Sequence, residues 1–274
     1  MRRFIRTLLC LLPMLAPALP AWADETQLVT LETADASKEW LGVGRLNIGN
    51  YGFCTAAMIA PDVVLTAAHC LYDQKTGALL PMKDFQFLAG WRNGRAEAYR
   101  GVRAGVAHPG FNALDADRVS RVSFDLALLQ LDRPITLANV QPFATSDRPR
   151  KGDEIGVVSY AKGRSEVPSL QEVCHVLAWR AGTVMMSCSV NFGSSGAPVF
   201  QIRDNQVRIV SVVSAMSDVN GQPVSLGVAL GSTLPQLQSR LAAGDNIFPA
   251  SKPVLLRSGQ ARSLNSGGAK FLRP

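Results

Sequence analysis

Short apolar runs separated by turn residues dominate this chain from Trp40 onward, and they restrict its fold more than any other feature. Runs of this length suit β-strands, and their regular spacing is typical of an antiparallel barrel or sandwich. The sequence therefore predicts an all-β body. The runs cover residues 57–65, 85–89, 100–107, 126–131, 154–160, 172–179, 183–190, 198–202, 207–216 and 224–230.

The stretch 132–153 interrupts this pattern because it is rich in proline, arginine and aspartate and has little strand periodicity. Such a stretch is typical of a connector between two halves of a fold. Further along, Leu234, Leu237 and Leu241 recur at helical spacing. We therefore predict one helix over 232–241, after the all-β body.

Residues 1–23 have the composition of a secretory signal. Three arginines precede an apolar stretch that two prolines break, and Ala21-Trp22-Ala23 forms an A-x-A cleavage site. The apolar stretch is too short to span a bilayer. We predict export with cleavage at this site, a secreted or periplasmic protein, and no transmembrane segment in the mature chain. Residues 24–39 would then form an N-terminal segment or a propeptide.

The cysteine count favours disulfides once the signal is removed. The signal carries three arginines, no acid and one cysteine, so its loss lowers the formal net charge from +7 to +4 and leaves four cysteines of five. An even number in an exported chain favours disulfides, with three connectivities open. No Cys-x-x-Cys pair is present, so we expect no zinc site. We also predict no other metal site and no cofactor. The four are Cys54, Cys70, Cys174 and Cys188.

The remaining positive charge is mild, and much of it lies near the C-terminus. We predict a basic, flexible tail over 243–274, because a solvated end of this composition has few apolar groups to bury. A tail that binds a surface or is processed is the alternative, which nothing in the sequence requires. We expect no nucleic-acid partner.

Three separated segments carry residues that can work together chemically. His69 lies in Thr66-Ala67-Ala68-His69-Cys70, and Asp125 heads an apolar run. Ser195 lies in Phe192-Gly193-Ser194-Ser195-Gly196-Ala197-Pro198-Val199. A serine hydroxyl is a poor nucleophile unless a base takes its proton, and that base needs a partner that orients it. Each segment alone is a weak signal, but a His, an Asp and a Ser in this chain order form a specific pattern.

This pattern resembles the chymotrypsin-like serine proteases, in which the three residues follow in the same order. The resemblance covers residues 40–241. It implies two antiparallel β-barrels followed by a helix. The first barrel would span residues 40–140, and the second barrel with its helix would span 141–242.

The resemblance also implies a role for each residue of the three motifs. Ser195 would be the nucleophile, His69 the general base, and Asp125 the group that orients His69. The backbone N–H groups of Gly193 and Ser195 would form the oxyanion hole. We expect activity to rise with pH through roughly 6 to 7.5 as the imidazole loses its proton.

Two further features follow from the same resemblance. It implies disulfides that join Cys54 to Cys70 and Cys174 to Cys188. Animal trypsins carry Gly-Asp-Ser-Gly-Gly-Pro at the nucleophile, whereas this chain has Gly-Ser-Ser-Gly-Ala-Pro. The missing acid, replaced by Ser194, is the one that pairs with a newly cut N-terminus in the animal enzymes. Activation by that ion pair is therefore not expected, and the chain looks similar to bacterial glutamyl endopeptidase-like peptidases.

The resemblance places the specificity pocket in two segments, one before the nucleophile and one about twenty residues after it. Neither segment supplies an acid at the pocket base, so a preference for lysine or arginine is not supported. No histidine lies on the later segment, so the usual reader of glutamate is also absent. Val190 and Met216 suggest a small or apolar side chain at the cut. The expected substrate-binding residues are Ser189, Val190, Phe192, Ser214, Ala215 and Met216, with Gly227 across the pocket.

We therefore predict an exported, monomeric serine endopeptidase that acts on proteins or peptides. A protease-fold binding protein without catalysis is the alternative from another class, and such proteins normally lose the His or the Ser. A periplasmic quality-control protease that works as an oligomer is a third reading. The other histidines, His108 and His175, are expected to be structural.

Overall fold

The computed structural model describes residues 25–146, 149–203 and 206–249. The predicted signal and the end of the predicted tail lie outside these residues. The described chain is mostly β, in two sheets. In chain order the strands are β1 (Val29–Thr30), β2 (Val43–Ile48), β3 (Gly52–Ala60), β4 (Val63–Thr66), β5 (Phe85–Ala89), β6 (Ala98–Ala107), β7 (Ala127–Leu131), β8 (Ala144–Thr145), β9 (Glu154–Ala161), β10 (Arg164–Arg180), β11 (Thr183–Met186), β12 (Pro198–Arg203), β13 (Gln206–Val219) and β14 (Gln222–Ala229). The helices are α1 (Ala34–Ser37), α2 (Arg118–Ser123) and α3 (Thr233–Ala242).

The first sheet closes into a barrel in the order β2-β3-β4-β7-β6-β5. Closure leaves no free strand edge, so every strand pairs on both sides. Inside, Leu46, Phe87 and Leu128 are fully buried. Each such side chain contributes about 1.5–3 kcal/mol by leaving water.

The second sheet has eight strands, and six of them form a ring. Their order is β10-β11-β14-β13-β12-β9, and pairing of β9 with β10 returns the order to its start. Strand β1 adds to β10, and β8 adds to β13. The prediction of an all-β fold with two barrel-like halves and a C-terminal helix is confirmed.

Several details of the predicted elements differ from the structure. The run 57–65 is two strands, β3 and β4, because Pro61-Asp62 turns the chain between them. The run 183–190 remains a strand only as far as Met186. The apolar pattern does not predict α2, a helix of six residues whose N-cap, Asp117, accepts a 3.0 Å hydrogen bond from Val119 N.

The predicted C-terminal helix is present as α3. Leu234 and Leu237 lie buried beneath it, and Leu241 packs against the same core. Within the described residues, none of the helices combines the length and the apolar character that a membrane span requires.

Part of the predicted flexible tail packs on the first barrel. The N–H of Ile247 donates to the Gly105 carbonyl at 2.9 Å, and Gly105 N donates to Asn246 Oδ1 at 3.1 Å. Phe248 is only 3% exposed, and its ring centroid lies 5.7 Å from that of Phe85. Residues 243–249 are therefore not part of a flexible tail, because a buried phenylalanine anchors them to the first barrel.

The segment that follows the predicted cleavage site is built into the second sheet. Thr26 N donates to the Val173 carbonyl at 3.0 Å, and β1 pairs Val29 with Leu170 of β10. Thr26 Oγ1 also accepts from Val173 N at 2.8 Å. These contacts hold residues 26–30 against β10.

Candidate active site

His69 and Asp125 are neighbours because of the pairing between their strands. His69 lies in a 3₁₀ turn directly after β4, and Asp125 lies two residues before β7. Strands β4 and β7 pair antiparallel, with Thr66 opposite Ala127. Adjacent strands lie about 4.8 Å apart, so the two side chains meet at the end of the barrel.

Asp125 is held by three hydrogen bonds. Its Oδ2 lies 2.6 Å from His69 Nδ1 and accepts from Ser214 Oγ, and its Oδ1 accepts from His69 N at 2.7 Å. The carboxylate is only 2% exposed. An ionised Asp125 makes Nδ1 the donor of this pair, so Nε2 of His69 is left as a proton acceptor.

The pKa of His69 is raised above its ordinary value by opposing influences. Burial alone would lower the pKa of the imidazole, but the charge and hydrogen bond of Asp125 raise the pKa above its ordinary value. The positive charge of Arg121 opposes this rise. His69 can thus take up a proton readily, which a general base requires.

Ser195 lies on a tight loop between β11 and β12 that one residue of the first barrel holds in place. Within the loop, Ser194 N donates a hydrogen bond to the Asn191 carbonyl at 2.9 Å. Thr55 of β3 then donates twice to it, from N to the Ser195 carbonyl at 2.8 Å and from Oγ1 to the Gly193 carbonyl at 2.9 Å. Thr55 is fully buried, so these bonds form away from water.

Two glycines of this loop have conformations and surroundings that exclude a side chain. Gly193 and Gly196 have φ of +95° and +79°. A Cβ on Gly196 would lie 2.2 Å from the Thr55 carbonyl oxygen, and one on Gly193 would lie 2.4 Å from the Phe53 ring. The backbone therefore passes close to β3 only because both residues lack a side chain.

The N–H groups of Gly193 and Ser195 have no acceptor among the described residues. Two such donors beside a nucleophile form an oxyanion hole when both point at the reacting carbonyl. Ser195 and His69 line the same cleft, although no hydrogen bond joins them in the described part of the chain. Catalytic hydrogen bonds are often long or poorly aligned without substrate and tighten when it binds.

Ser194, at the position of the acid in animal trypsins, is fully buried and held by a cation. Arg164 donates from Nη2 to Ser194 Oγ at 3.2 Å and to Ser159 Oγ at 3.0 Å, and from Nη1 to the Ser159 carbonyl at 2.6 Å. Burial lowers the pKa of Arg164 to about 10, so the group remains charged at neutral pH. The cation that contacts this loop at Ser194 is therefore an internal side chain.

A cleft of about 530 Å³ runs between the two halves at this site. Five of the six expected substrate-binding residues line it; the sixth, Ser189, lines a second cavity of about 400 Å³. Val190 and Met216 form part of both cavities, so they separate the two spaces. Gly227 lines neither, because the sheet encloses it near Ser211 Oγ and the Val212 carbonyl. The five in the cleft are Val190, Phe192, Ser214, Ala215 and Met216.

The cysteines form two disulfides, with the pairing that the resemblance implies. Cys54 of β3 joins Cys70, the residue after His69, and Cys174 of β10 joins Cys188. Cys54, His69 and Cys70 also place ligand atoms within 4.8 Å of one another. Disulfide sulfurs offer no thiolate, so this cluster lacks the donors of a metal site.

The other two histidines lie outside the pair with Asp125. His108 stacks on Phe124 with ring centroids 4.6 Å apart, and its Nδ1 accepts from Gly110 N. His175 lines the second cavity, and its backbone N–H donates to Ser187 Oγ at 2.9 Å.

Comparison with known proteins agrees with this geometry. A family model described as a trypsin-like peptidase domain matches residues 52–208, more than half of the chain. The chain belongs to the trypsin-like peptidase family.

A modular serine protease of Drosophila melanogaster is 37% identical over 101 residues, which are 34% of this chain and 15% of that protein. A suppressor of tumorigenicity 14 protein homolog of Bos taurus is 30% identical over 129 residues, 44% of this chain and 14% of that protein. The chain thus spans a small part of the curated relatives that it matches.

A solved structure of a Glu endopeptidase in complex with MPD shares the fold of this trypsin-like peptidase. The TM-score is 0.65 with 16% identity, and the match covers 79% of this chain and 96% of the other. At this identity the likeness shows the fold alone.

Sequence reasoning missed four residues of this trypsin-like peptidase site: Thr55, Arg118, Arg121 and Arg164. The two arginines of α2 lie in a helix that the sequence pattern does not predict, so only the fold shows that they line the cleft. Thr55 and Arg164 carry no local signal, because their partners lie far along the chain.

Proposed function

We propose that this protein is an exported serine endopeptidase that cleaves peptide bonds through Ser195, His69 and Asp125. The observation that carries the proposal is the 2.6 Å contact between Asp125 and His69 Nδ1 in the cleft that Ser195 also lines. This contact leaves His69 Nε2 available to take a proton from Ser195. The N–H groups of Gly193 and Ser195, which have no acceptor among the described residues, lie on the same loop as Ser195 Oγ.

The first half of the reaction forms an acyl-enzyme. Ser195 Oγ bonds to the carbonyl carbon of the substrate while its proton passes to His69 Nε2. Negative charge moves to the carbonyl oxygen, where the Gly193 and Ser195 N–H groups stabilise it; each donor is worth about 2.7–4 kcal/mol. The C–N bond then breaks, and His69 gives its proton to the leaving amine.

The second half releases the acid and restores the enzyme. Water bonds to the acyl carbon while one of its protons passes to His69. The ester bond then breaks, and His69 gives this proton to Ser195 Oγ. Asp125 remains ionised throughout and stabilises the imidazolium, which forms in both halves. No metal or other group enters this scheme.

The oxyanion loop does not need a newly cut N-terminus in this proposal. Arg164 supplies the cation that holds Ser194, and Thr26 and β1 are already paired with β10. Residues 25–31 are therefore retained as an N-terminal segment in the active protein. Blocking the α-amino group of the mature chain should leave its activity unchanged.

The pocket in the cleft favours a small or apolar side chain at the cut. Val190 and Met216 wall the cleft, and neither carries charge. Proteins or peptides are the substrates, and a monomer is the expected state. Export is supported by the two disulfides, which persist in oxidising compartments, so the protein works in the periplasm or outside the cell.

The first test is the intact mass of the mature chain after exposure to a fluorophosphonate, beside the Ser195→Ala variant. One adduct on the parent and none on the variant would establish an activated serine. A folded parent that takes up no adduct and cleaves no peptide library would favour a protein that binds without catalysis.

A further inference from the structure

We propose that the cleft selects substrates with an acidic side chain among the residues that precede the cut residue, through Arg118 and Arg121. This inference rests on the proposed peptidase function and names its substrate class. Both arginines belong to α2 and line the cleft together with His69 and Ser195.

The two guanidinium groups have no carboxylate partner among the described residues. No ion pair joins either of them to an acid. Arg118 donates to the Met216 carbonyl, an uncharged acceptor, while Arg121 acts on His69 only through its charge.

The acids near α2 are already engaged elsewhere. Asp117 caps the helix by accepting from Val119 N, and Asp115 accepts from Asp117 N. Asp125 is the acid that lines the cleft, and its three hydrogen bonds to His69 and Ser214 leave it buried and occupied. The accessible charge of the cleft is therefore positive.

The position of the arginines fixes which part of a substrate they meet. Val190 and Met216, expected to wall the pocket for the cut residue, line the cleft that also holds the two arginines, whereas Gly193 lines a separate cavity. Because the pocket holds the residue before the broken bond, the chain leading into it lies on the side of α2. The residues beyond the bond lie on the side of the other cavity.

An acidic side chain fits these groups chemically. A guanidinium binds a carboxylate through two parallel N–H donors, and such charge-assisted bonds are stronger than neutral ones. An amide of the same shape keeps the hydrogen bonding but not the charge. A comparison of aspartate with asparagine therefore isolates the electrostatic contribution.

The test uses fluorogenic tetrapeptides with alanine at the cut and aspartate, asparagine or lysine at each of the three preceding positions. We expect kcat/KM for aspartate to exceed that for asparagine by about tenfold at one position or more. Raising the ionic strength from about 0.01 M to about 1 M should shrink this ratio, because salt screens exposed charges.

Variants assign the preference to the arginines. Arg121→Gln and Arg118→Gln should each bring the aspartate-to-asparagine ratio towards one, and Arg121→Lys should retain part of it. Arg133→Gln is the matched control. Arg133 is exposed and follows the end of β7, whereas Asp125 precedes its start. It should leave the ratio unchanged. Because Arg118 also bonds the Met216 carbonyl, Arg121→Gln is the cleaner variant.

Each outcome separates this inference from the function on which it rests. Equal rates for aspartate and asparagine at all three positions, with a fluorophosphonate adduct on Ser195, would overturn the inference and keep the peptidase. A preference that survives in both arginine variants would overturn it as well. No hydrolysis of any peptide and no adduct would overturn both.

Discussion

Thr55 is the residue through which the first barrel holds the nucleophile loop. Besides its two bonds to that loop, its Oγ1 accepts from Tyr160 N at 3.0 Å. Thr55→Val keeps the shape but leaves Tyr160 N without an acceptor, which costs about 1–3 kcal/mol of unfolding free energy. We expect kcat/KM to fall about tenfold as the loop loosens. Thr55→Ser keeps the hydroxyl and should retain most activity, as chemical denaturation and peptide kinetics would show.

We expect His69, the proposed general base, to set the pH range of activity. It acts as a base only when neutral, and its pKa is raised in the folded protein. The rise of kcat/KM with pH should therefore be centred above about 6.5, the ordinary value for histidine.

Arg121 provides the check on this assignment, because its charge lowers the pKa of His69. Arg121→Gln should move the midpoint of the profile to higher pH for a neutral peptide, while Arg133→Gln should not. A profile flat from about pH 5 to 9 would contradict a histidine base.

At the scale of elements, the loop from Asn191 to Ala197 depends on Arg164 of β10. Removing the cation with Arg164→Gln weakens the hold on Ser194 by hydrogen bonds worth about 1.5–3 kcal/mol. We expect kcat to fall about tenfold or more with KM nearly constant, since the oxyanion donors act in the transition state.

Arg164→Lys keeps the charge and should restore part of kcat. A merely structural role would instead lower the melting temperature of both variants without the split between kcat and KM. Thermal unfolding measured beside the kinetics distinguishes the two cases.

The elements also show what could be predicted from sequence. Strands with apolar runs and the helix with leucines at helical spacing were found because their patterns are local. The long β10 was predicted only in part, since its register shifts at several points and polar residues interrupt its pattern. The motifs around His69 and Ser195 were recognisable as strings of residues. The contact of Arg164 with Ser194 joins residues 30 positions apart and could come only from the fold.

At the scale of the whole molecule, the two halves are joined through the segment after α3 as well as at the cleft. The chain leaves the second sheet through α3 and buries Phe248 on the first barrel. Phe248→Ala should lower the unfolding free energy by about 3–5 kcal/mol, because it opens a cavity in the core. Exposed Leu137→Ala should change it by less than about 0.5 kcal/mol. Calorimetry would measure both, and equal effects would contradict this packing.

The assembly of the site from both halves has a consequence for when the protein can act. The bond from Ser214 to Asp125 spans 89 positions, and that from Thr55 to Gly193 spans 138. A chain still emerging from the ribosome, or crossing a membrane unfolded, has the His–Asp half of the site without its nucleophile in place. The proposed activity therefore cannot begin until nearly the whole sequence has been synthesised and folded.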